Sequence, residues 1–398
     1  MKVVGLVVLF VVLGVVRGDN YEVCNVAQMG GNGDGETDNT EVLRKLFSEC
    51  DEVIVPEGGV YLTHPVNITR DNFVFTLEGE LLFYDCNNLT DWPVMPHLPS
   101  YPNDRDVHSC CRYQPNLLVY KTTNVTIQGT GKMNGQGATW WAARTANTLE
   151  YGRPRLLQTM YASKLQIKNI TLQDSPFWTT HLWSSEEILV EGIHVRAPPT
   201  SENTDGVDPD SSKFVTIRDC HVHNGDDCIA IKSGENQAGI DYNRSSSQII
   251  IDNVHCYHGF GISIGSEMSG GVEDVLIMNS HTGYQQIKTA PERGGYVKDI
   301  TWLNNRMDIG PIIIDTTYTN SQPASSGAPY IDNIIFEGTH GHGSAAGKLV
   351  CDQYTKCTNF VAVNNDMTTA AGYVCINITT AYEANNHPKW CKRLPEEE

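Results

Sequence analysis

Between Leu165 and Met367 the chain repeats one pattern, in which short runs of β-branched and apolar residues are each closed by a polar or glycine turn. The runs are Leu165–Leu172, Glu187–Val195, Phe214–Val222, Ile249–Cys256, Val275–Thr282, Ile300–Met307, Ile334–Gly341 and Phe360–Met367. With Asn169, Gly192, Asp219, Asn253, Asn279, Asn305, Gly338 and Asn365 as equivalent turn positions, the steps are 23, 27, 34, 26, 26, 33 and 27 residues. That is the length of one coil of a parallel β-helix, the longer steps carrying loop insertions. Strands alternating with crossover helices would also pair in parallel, but they need amphipathic patterns of about ten to fifteen residues between strands, and the intervals lack them. The pattern therefore predicts an all-β chain folded as a right-handed, single-stranded parallel β-helix. One segment departs from it. From Thr37 to Cys50, Val42, Leu43, Leu46 and Phe47 recur at helical spacing after a Thr37-Asp38 start signal. A helix there would cover the open, apolar end of the first coil.

Composition adds a compartment. Met1-Lys2, the apolar stretch Val3–Val16 and the small residues Val16 and Gly18 read as a signal peptide over residues 1–18, which leaves 19–398 as a single solenoid domain. The stretch is too short to span a bilayer comfortably and no later one offers about eighteen apolar residues, so no membrane association is expected. Twelve cysteines fit an oxidising compartment. Plausible local bridges are Cys24–Cys50, Cys228–Cys256, Cys351–Cys357 and Cys375–Cys391, with the pairing of Cys86, Cys110, Cys111 and Cys220 left open. Glycosylation sequons at Asn67, Asn88, Asn124, Asn169, Asn243 and Asn377 agree with a secreted, extracellular glycoprotein. The formal charge of −19 argues against a nucleic-acid partner. It excludes an acidic polysaccharide less firmly, because a few cations inside a cleft suffice to hold carboxylates.

The densest chemistry lies between Asn203 and Lys232. Asp205 and Asp226 stand 21 residues apart, close to one coil, so they can meet on neighbouring turns, and Asp227 follows directly. Gly225 permits a corner that turns both adjacent carboxylates to one side. Carboxylates brought together resist simultaneous ionisation, so one keeps its proton. Glycoside hydrolysis requires such a set, a protonated acid for the leaving oxygen and an ionised base for water. For Asp208, Asp210 and Asp219 the plainer reading is that they cap turns. His340-Gly341-His342 lacks acidic or cysteine partners at metal spacing and reads as a loop, and no metal site or cofactor is expected.

Four motifs occurring in order, Asn203-Thr204-Asp205-Gly206, Gly225-Asp226-Asp227-Cys228, Gly261 through Ser266, and Ile287-Lys288-Thr289, resemble glycoside hydrolase family 28, the polygalacturonases. The resemblance runs from Gly33 near the N-terminus through Arg153–Leu157 and Ser175–Trp183 to Pro311–Tyr318, and it is nearest to the exo-acting, plant-type subgroup. It implies a pectin-lyase-like β-helix that hydrolyses α-1,4-linked galacturonic acid with inversion and without metal, acting as a monomer on a pectic polysaccharide. Asp226 would be the general acid, with Asp205 and Asp227 positioning and deprotonating water. Asn203, Lys288 and Tyr318 would contact substrate, Lys288 through a uronate carboxylate. Trp178 and His181 are the best candidates for contact with the sugar.

Two departures shape the expectation. Phe260 stands where many members of that family carry an active-site histidine, with His258 two residues upstream as a partial substitute. Gln286 stands where they carry an arginine, and a glutamine cannot supply that paired, charged fork. Arg293 is the candidate replacement for the missing charge. Competing readings are a rhamnogalacturonan hydrolase of the same family, a calcium-dependent pectate lyase, and a catalytically silent pectin-binding homologue.

Overall fold

The computed structural model describes residues 21–89, 92–103, 109–308, 310–319, 321–378 and 380–391. The expected signal peptide at 1–18 lies outside them. The chain winds into a parallel β-helix whose coils present three faces. One face is a thirteen-stranded sheet running from Val23–Asn25 to Thr380–Ala384. The other two are rows of shorter strands, and they merge where the long strands His340–Val350 and Asp366–Ile376 each serve both rows. Every ladder between coils is parallel; a short antiparallel pair, Val94–Pro96 with Cys111–Tyr113, lies in a loop excursion.

Coils stack because like sits on like. Ile167, Val190, Ile217, Ile251, Ile277, Trp302, Phe336 and Ala362 are register partners from coil to coil, each buried. Alternate residues of each strand point inward to such columns, the period-two pattern of a half-buried strand. The turn column is equally regular but differs from the expectation at two places. Asn169, Gly192, Asp219, Asn253, Asn279, Asn304, Gly338 and Asn364 take positive φ. The left-handed residue is thus the first of each Asn-Asn doublet, not Asn305 or Asn365. Those two turn inward, where Asn305 accepts from the Ser280 amide and Asn365 from the Thr339 amide, satisfying backbone donors inside the solenoid.

The capping helix is present as α1, Thr40–Glu49, starting three residues later than the sequence signal because Asp34–Asp38 pairs as a strand. Asp38 Oδ1 accepts from the Thr40 amide instead. Phe47 packs edge-on to Phe73 and Phe75 at 5.5 and 5.1 Å, closing the first coil. Two further helices are α2 (Gly137–Thr145), which precedes the repeating region, and α3 (Asn236–Tyr242), which falls in the 34-residue step between Asp219 and Asn253 that the periodicity reads as carrying a loop insertion. All four expected bridges form, and Cys86, Cys110, Cys111 and Cys220 are unbridged. Among the described residues no helix is long and apolar enough to cross a membrane.

Candidate active site

The carboxylates gather at the corner between the two rows of short strands. The corner Asn203–Gly206 leads into the strand Val207–Asp210, and one coil on, Asn224–Asp226 leads into Asp227–Ile231. Asn224 staples the two corners by donating to both the Thr204 and Asp227 carbonyls, at 2.8 and 2.7 Å. Gly225 is required by contact: a Cβ there would lie 2.1 Å from the Ser201 carbonyl oxygen. The coils therefore close up enough to bring one oxygen each of Asp205, Asp226 and Asp227 within 4.8 Å of one another.

The three are not equivalent. Asp227 is buried and acts as acceptor on both oxygens, from Ser263 Oγ at 2.7 Å and Lys288 Nζ at 2.6 Å. Asp205 is buried with Oδ2 3.3 Å from Lys232 Nζ, and its Oδ1 has no protein partner. Asp226, partly exposed, accepts from the Asp227 amide at 2.8 Å and from the backbone and side chain of Asn203, both at 3.3 Å. Among the described residues no cation forms an ion pair with it. Burial, then the charges of Asp205 and Asp227, push the Asp226 pKa up to about 7. The cluster thus contains one carboxyl that keeps its proton into the neutral range beside two that accept from ammonium groups.

The profile of "Glycosyl hydrolases family 28" matches residues 49–386. The chain belongs to that family. A "Probable polygalacturonase" of Vitis vinifera is 38% identical over 292 residues, which cover 69% of this chain and 59% of that protein. The "Polygalacturonase" of Juniperus ashei is 28% identical, covering 95% of this chain and 75% of that protein. Among solved structures, the exopolygalacturonase of Thermotoga maritima superposes with a TM-score of 0.77 over 93% of both chains at 22% identity, a likeness of fold.

Within this family-28 framework the remaining candidates separate into two groups. Asn203, in the left-handed conformation at φ 59°, is fixed by Arg153 Nη2 at 3.0 Å and turned onto Asp226. Lys288 reaches the cluster and lies 5.7 Å from the centre of the half-exposed Tyr318 ring. Burial opposes the charge of Lys288, yet Asp227, with Tyr318 and Asp226 beyond it, outweighs burial and raises the ammonium pKa.

Four candidates fall elsewhere. Trp178 is 2% exposed and offers no face to a sugar; it packs on Phe177 and under the Lys232 ammonium, 4.4 Å from the ring centre. His181 is fully buried between Gln158 and Asp210. Burial lowers its pKa to about 4 against the pull of Asp210, so the ring is neutral and structural. Arg293 does not replace the missing arginine, because its guanidinium is buried against Glu235 and Asn236 at the start of α3 and against the Ser266 carbonyl. His258 packs against His223 on the neighbouring face, the two rings tilted by 31° with centres 4.4 Å apart. Gln286 is half-buried, one register step beyond Ser263, and Phe260 is exposed beside Tyr284.

Asp208 and Asp210 are likewise not turn caps. Both are buried on the strand Val207–Asp210, whereas Asp219 does hold its turn, accepting from Asn253. Burial, then Asp205, raises the Asp208 pKa well above the usual range, and neither of its oxygens has a protein partner. Lys232 is the functional residue that the motif reading passed over. It bridges Asp205 and Glu267 at 3.3 and 3.2 Å. Strand alternation carried the signal: with Ile229 and Ile231 inward, Lys232 points to the side of the carboxylates.

Proposed function

We propose that this chain hydrolyses α-1,4-linked galacturonic acid in pectin with inversion, Asp226 protonating the leaving oxygen while Asp205 and Asp227 orient and deprotonate water. The observation that carries this reading is the asymmetry of the cluster, a proton-retaining Asp226 within 4.8 Å of two carboxylates that accept from Lys232 and Lys288. That is the acid-and-base pairing that glycoside hydrolysis needs. The same three oxygens could gather a divalent cation. Lys232 and Lys288 already supply two positive charges to them, so the proposed mechanism assigns no step to a metal. The carboxylate oxygens approach more closely than the roughly 6.5–9.5 Å usual between acid and base in inverting enzymes. The anomeric configuration of the product therefore decides the mechanism.

Incubation with polygalacturonic acid tests the reading. New reducing ends of inverted anomeric configuration, formed equally in a chelator, are expected. A retained anomer would turn one aspartate into a nucleophile, and ultraviolet-absorbing products that require calcium would replace hydrolysis by elimination.

A rhamnogalacturonan substrate is favoured by one feature, the neutral and aromatic edge made by Gln286, Phe260 and Tyr284 where the cleft otherwise has cations. Release of new ends from rhamnogalacturonan but not from polygalacturonate would shift the assignment. The working form is proposed to be a secreted, monomeric glycoprotein with a single domain over residues 19–398. The cysteine and sequon pattern supports export.

Lys288→Ala should lower kcat/KM on polygalacturonate by about tenfold to a hundredfold, the worth of roughly 1.5–3 kcal/mol for a charge-assisted bond. Because its ammonium sits on Asp227, kcat should fall as well as KM rise. Unchanged kinetics in Lys288→Ala would remove the residue from the site. Arg293→Ala is expected to lower thermal stability without altering KM.

A further inference from the structure

The face next to the cleft carries a stack of histidines. His194, His221, His255 and His281 are register partners on four consecutive coils. The first three rings lie nearly parallel, at 5.0 and 5.1 Å between centres, and the fourth meets its neighbour edge-on at 6.1 Å. Arg306 and then His340 continue the column. A second outward column beside it holds Arg196 and His223, both exposed. Tyr257, 51% exposed, donates to or accepts from His221 Nδ1 at 2.9 Å and lies along the stack.

The strip is unusual in a chain of formal charge −19. The strands His194–Arg196, His221–His223, His255–Cys256 and His281–Thr282 contain no carboxylate. Acids on the adjoining segments are Asp308, bonded to His281 and Arg306; Glu191, paired with Arg218; Asp219 and Asp252 in the turns before His221 and His255, accepting from Asn253 and Asn279; and Asp366, the exposed register partner of His340 at the far end of the column. His342, on the strand His340–Val350, lies 3.9 Å from Asp308. Going from pH 7 into acid therefore adds positive charge to strands that carry no carboxylate of their own, the exposed Asp366 lying beyond His340 and not beside the stack.

The strip is also continuous with the active site. His223 is followed directly by Asn224-Gly225-Asp226, so the stack and the carboxylates occupy adjacent faces joined by the catalytic corner. Coils rise about 4.8 Å each, so a chain laid along the solenoid axis meets a ring at every step.

We propose that the His194–His281 strip is a second docking track for the polyuronate chain, engaged in acid and released toward neutral pH. This rests on the galacturonan reading above. Uronate carboxylates stay ionised down to about pH 4, like other α-substituted carboxylic acids, so Arg196 offers the polymer a fixed positive charge at any pH while the stack adds its own only below the histidine range. The pKa of His194 is lowered by burial, then by His221 and Arg196. That of His255 is lowered by burial, then by His221 and His281, and that of His223 by burial, then by His258 and Arg196. Each is charged only below its ordinary 6.5, and a bound polyanion would draw protons onto the stack.

The test compares the wild type with the triple variant His194→Gln, His221→Gln, His255→Gln. Affinity for long polygalacturonate is measured by affinity electrophoresis at pH 5 and 7.5, and turnover of trigalacturonate separately. The wild type should bind the polymer about tenfold more tightly at pH 5 than at pH 7.5, and the triple variant should lose that gain. Trimer turnover should be unchanged. His221→Lys with His255→Lys should carry tight polymer binding up to pH 7.5, which decides the matter if the Gln variant misfolds. Equal polymer affinity of all three proteins at both pH values overturns the docking track. A wild type that shows the pH-dependent affinity but cleaves neither polymer nor trimer instead overturns the hydrolase reading and leaves the track standing.

Discussion

Replacing Asp226 with Asn should lower kcat on polygalacturonate by about 10²- to 10⁴-fold, the usual contribution of a general acid, with the fold retained. Asn keeps the shape and, through its one carbonyl oxygen, the contact to the Asp227 amide; its NH2 group cannot accept from Asn203, and it has no acidic proton to give the leaving oxygen. The pKa of about 7 makes a second expectation. In the wild type the alkaline limb of kcat/KM should fall as pH rises through about 7, where Asp226 loses its proton. Stability carries the opposite sign to that of a salt-bridged aspartate. Asp226 binds its proton more tightly folded than unfolded, so its contribution is full below 3.8 and is lost as pH rises through about 7. Above pH 7 the wild type bears an ionised Asp226 that burial, Asp205 and Asp227 all disfavour, and the Asn variant does not. Asp226→Asn should therefore melt no lower than the wild type at pH 8. Near-normal turnover would remove Asp226 from the acid role, and a lower melting point at pH 8 would mean that the two lost bonds from Asn203 outweigh the relief of burial and repulsion.

The solenoid was legible because each coil must bury the same inward column. Ile217 under Ile251 under Ile277 repeats at coil spacing and survives loop insertions. The disulfides were legible from the local grouping of the cysteines: Cys24–Cys50 and Cys228–Cys256 span 26 and 28 residues, about one coil, and Cys351–Cys357 and Cys375–Cys391 close shorter loops. The Asn304-Asn305 and Asn364-Asn365 doublets were ambiguous because both residue types of each pair suit a left-handed turn. Only the inward hydrogen bonds distinguish them. What the sequence hid was cover brought from far along the chain. Leu98–Tyr101 folds over the cleft floor, where Ser100 accepts from Trp183 across 83 residues and Tyr101 donates to Asp210 across 109. This places Asp210 and its partner His181 in the interior, where motif reading had put a turn cap and a substrate contact. Arg293 disappeared in the same way, captured by Glu235 from 58 residues away. The helices α2 and α3 are short loop insertions; α3 buries only Gly239, so no apolar period announces it.

Lys232→Met should destabilise the fold by about 3–5 kcal/mol at neutral pH, the cost of leaving a buried ion pair without one partner. The full figure applies without a solvent discount, because the side chains of Lys232, Asp205 and Glu267 are 2%, 4% and 1% exposed. The cation serves more than its two bonded partners, since it is also the positive charge that opposes the raised pKa of Asp208. Methionine matches the length of the stem and can keep the contact with Trp178, so the variant isolates the charge. With the ammonium gone, the carboxylates around it are relieved by taking up protons. The deficit should therefore be largest at pH 7 and shrink toward pH 4, read as the difference in denaturant-unfolding free energy from the wild type at each pH. Activity should fall with it, because Asp205 loses its one ion-pair partner among the described residues and with it the geometry that holds the attacking water. A deficit of equal size at both pH values would mean that lost packing, not charge, is responsible. An unchanged unfolding midpoint would show that solvent or a rearranged neighbour already compensates Asp205 and Glu267, and the assignment of Lys232 as the organising cation of the site would be withdrawn.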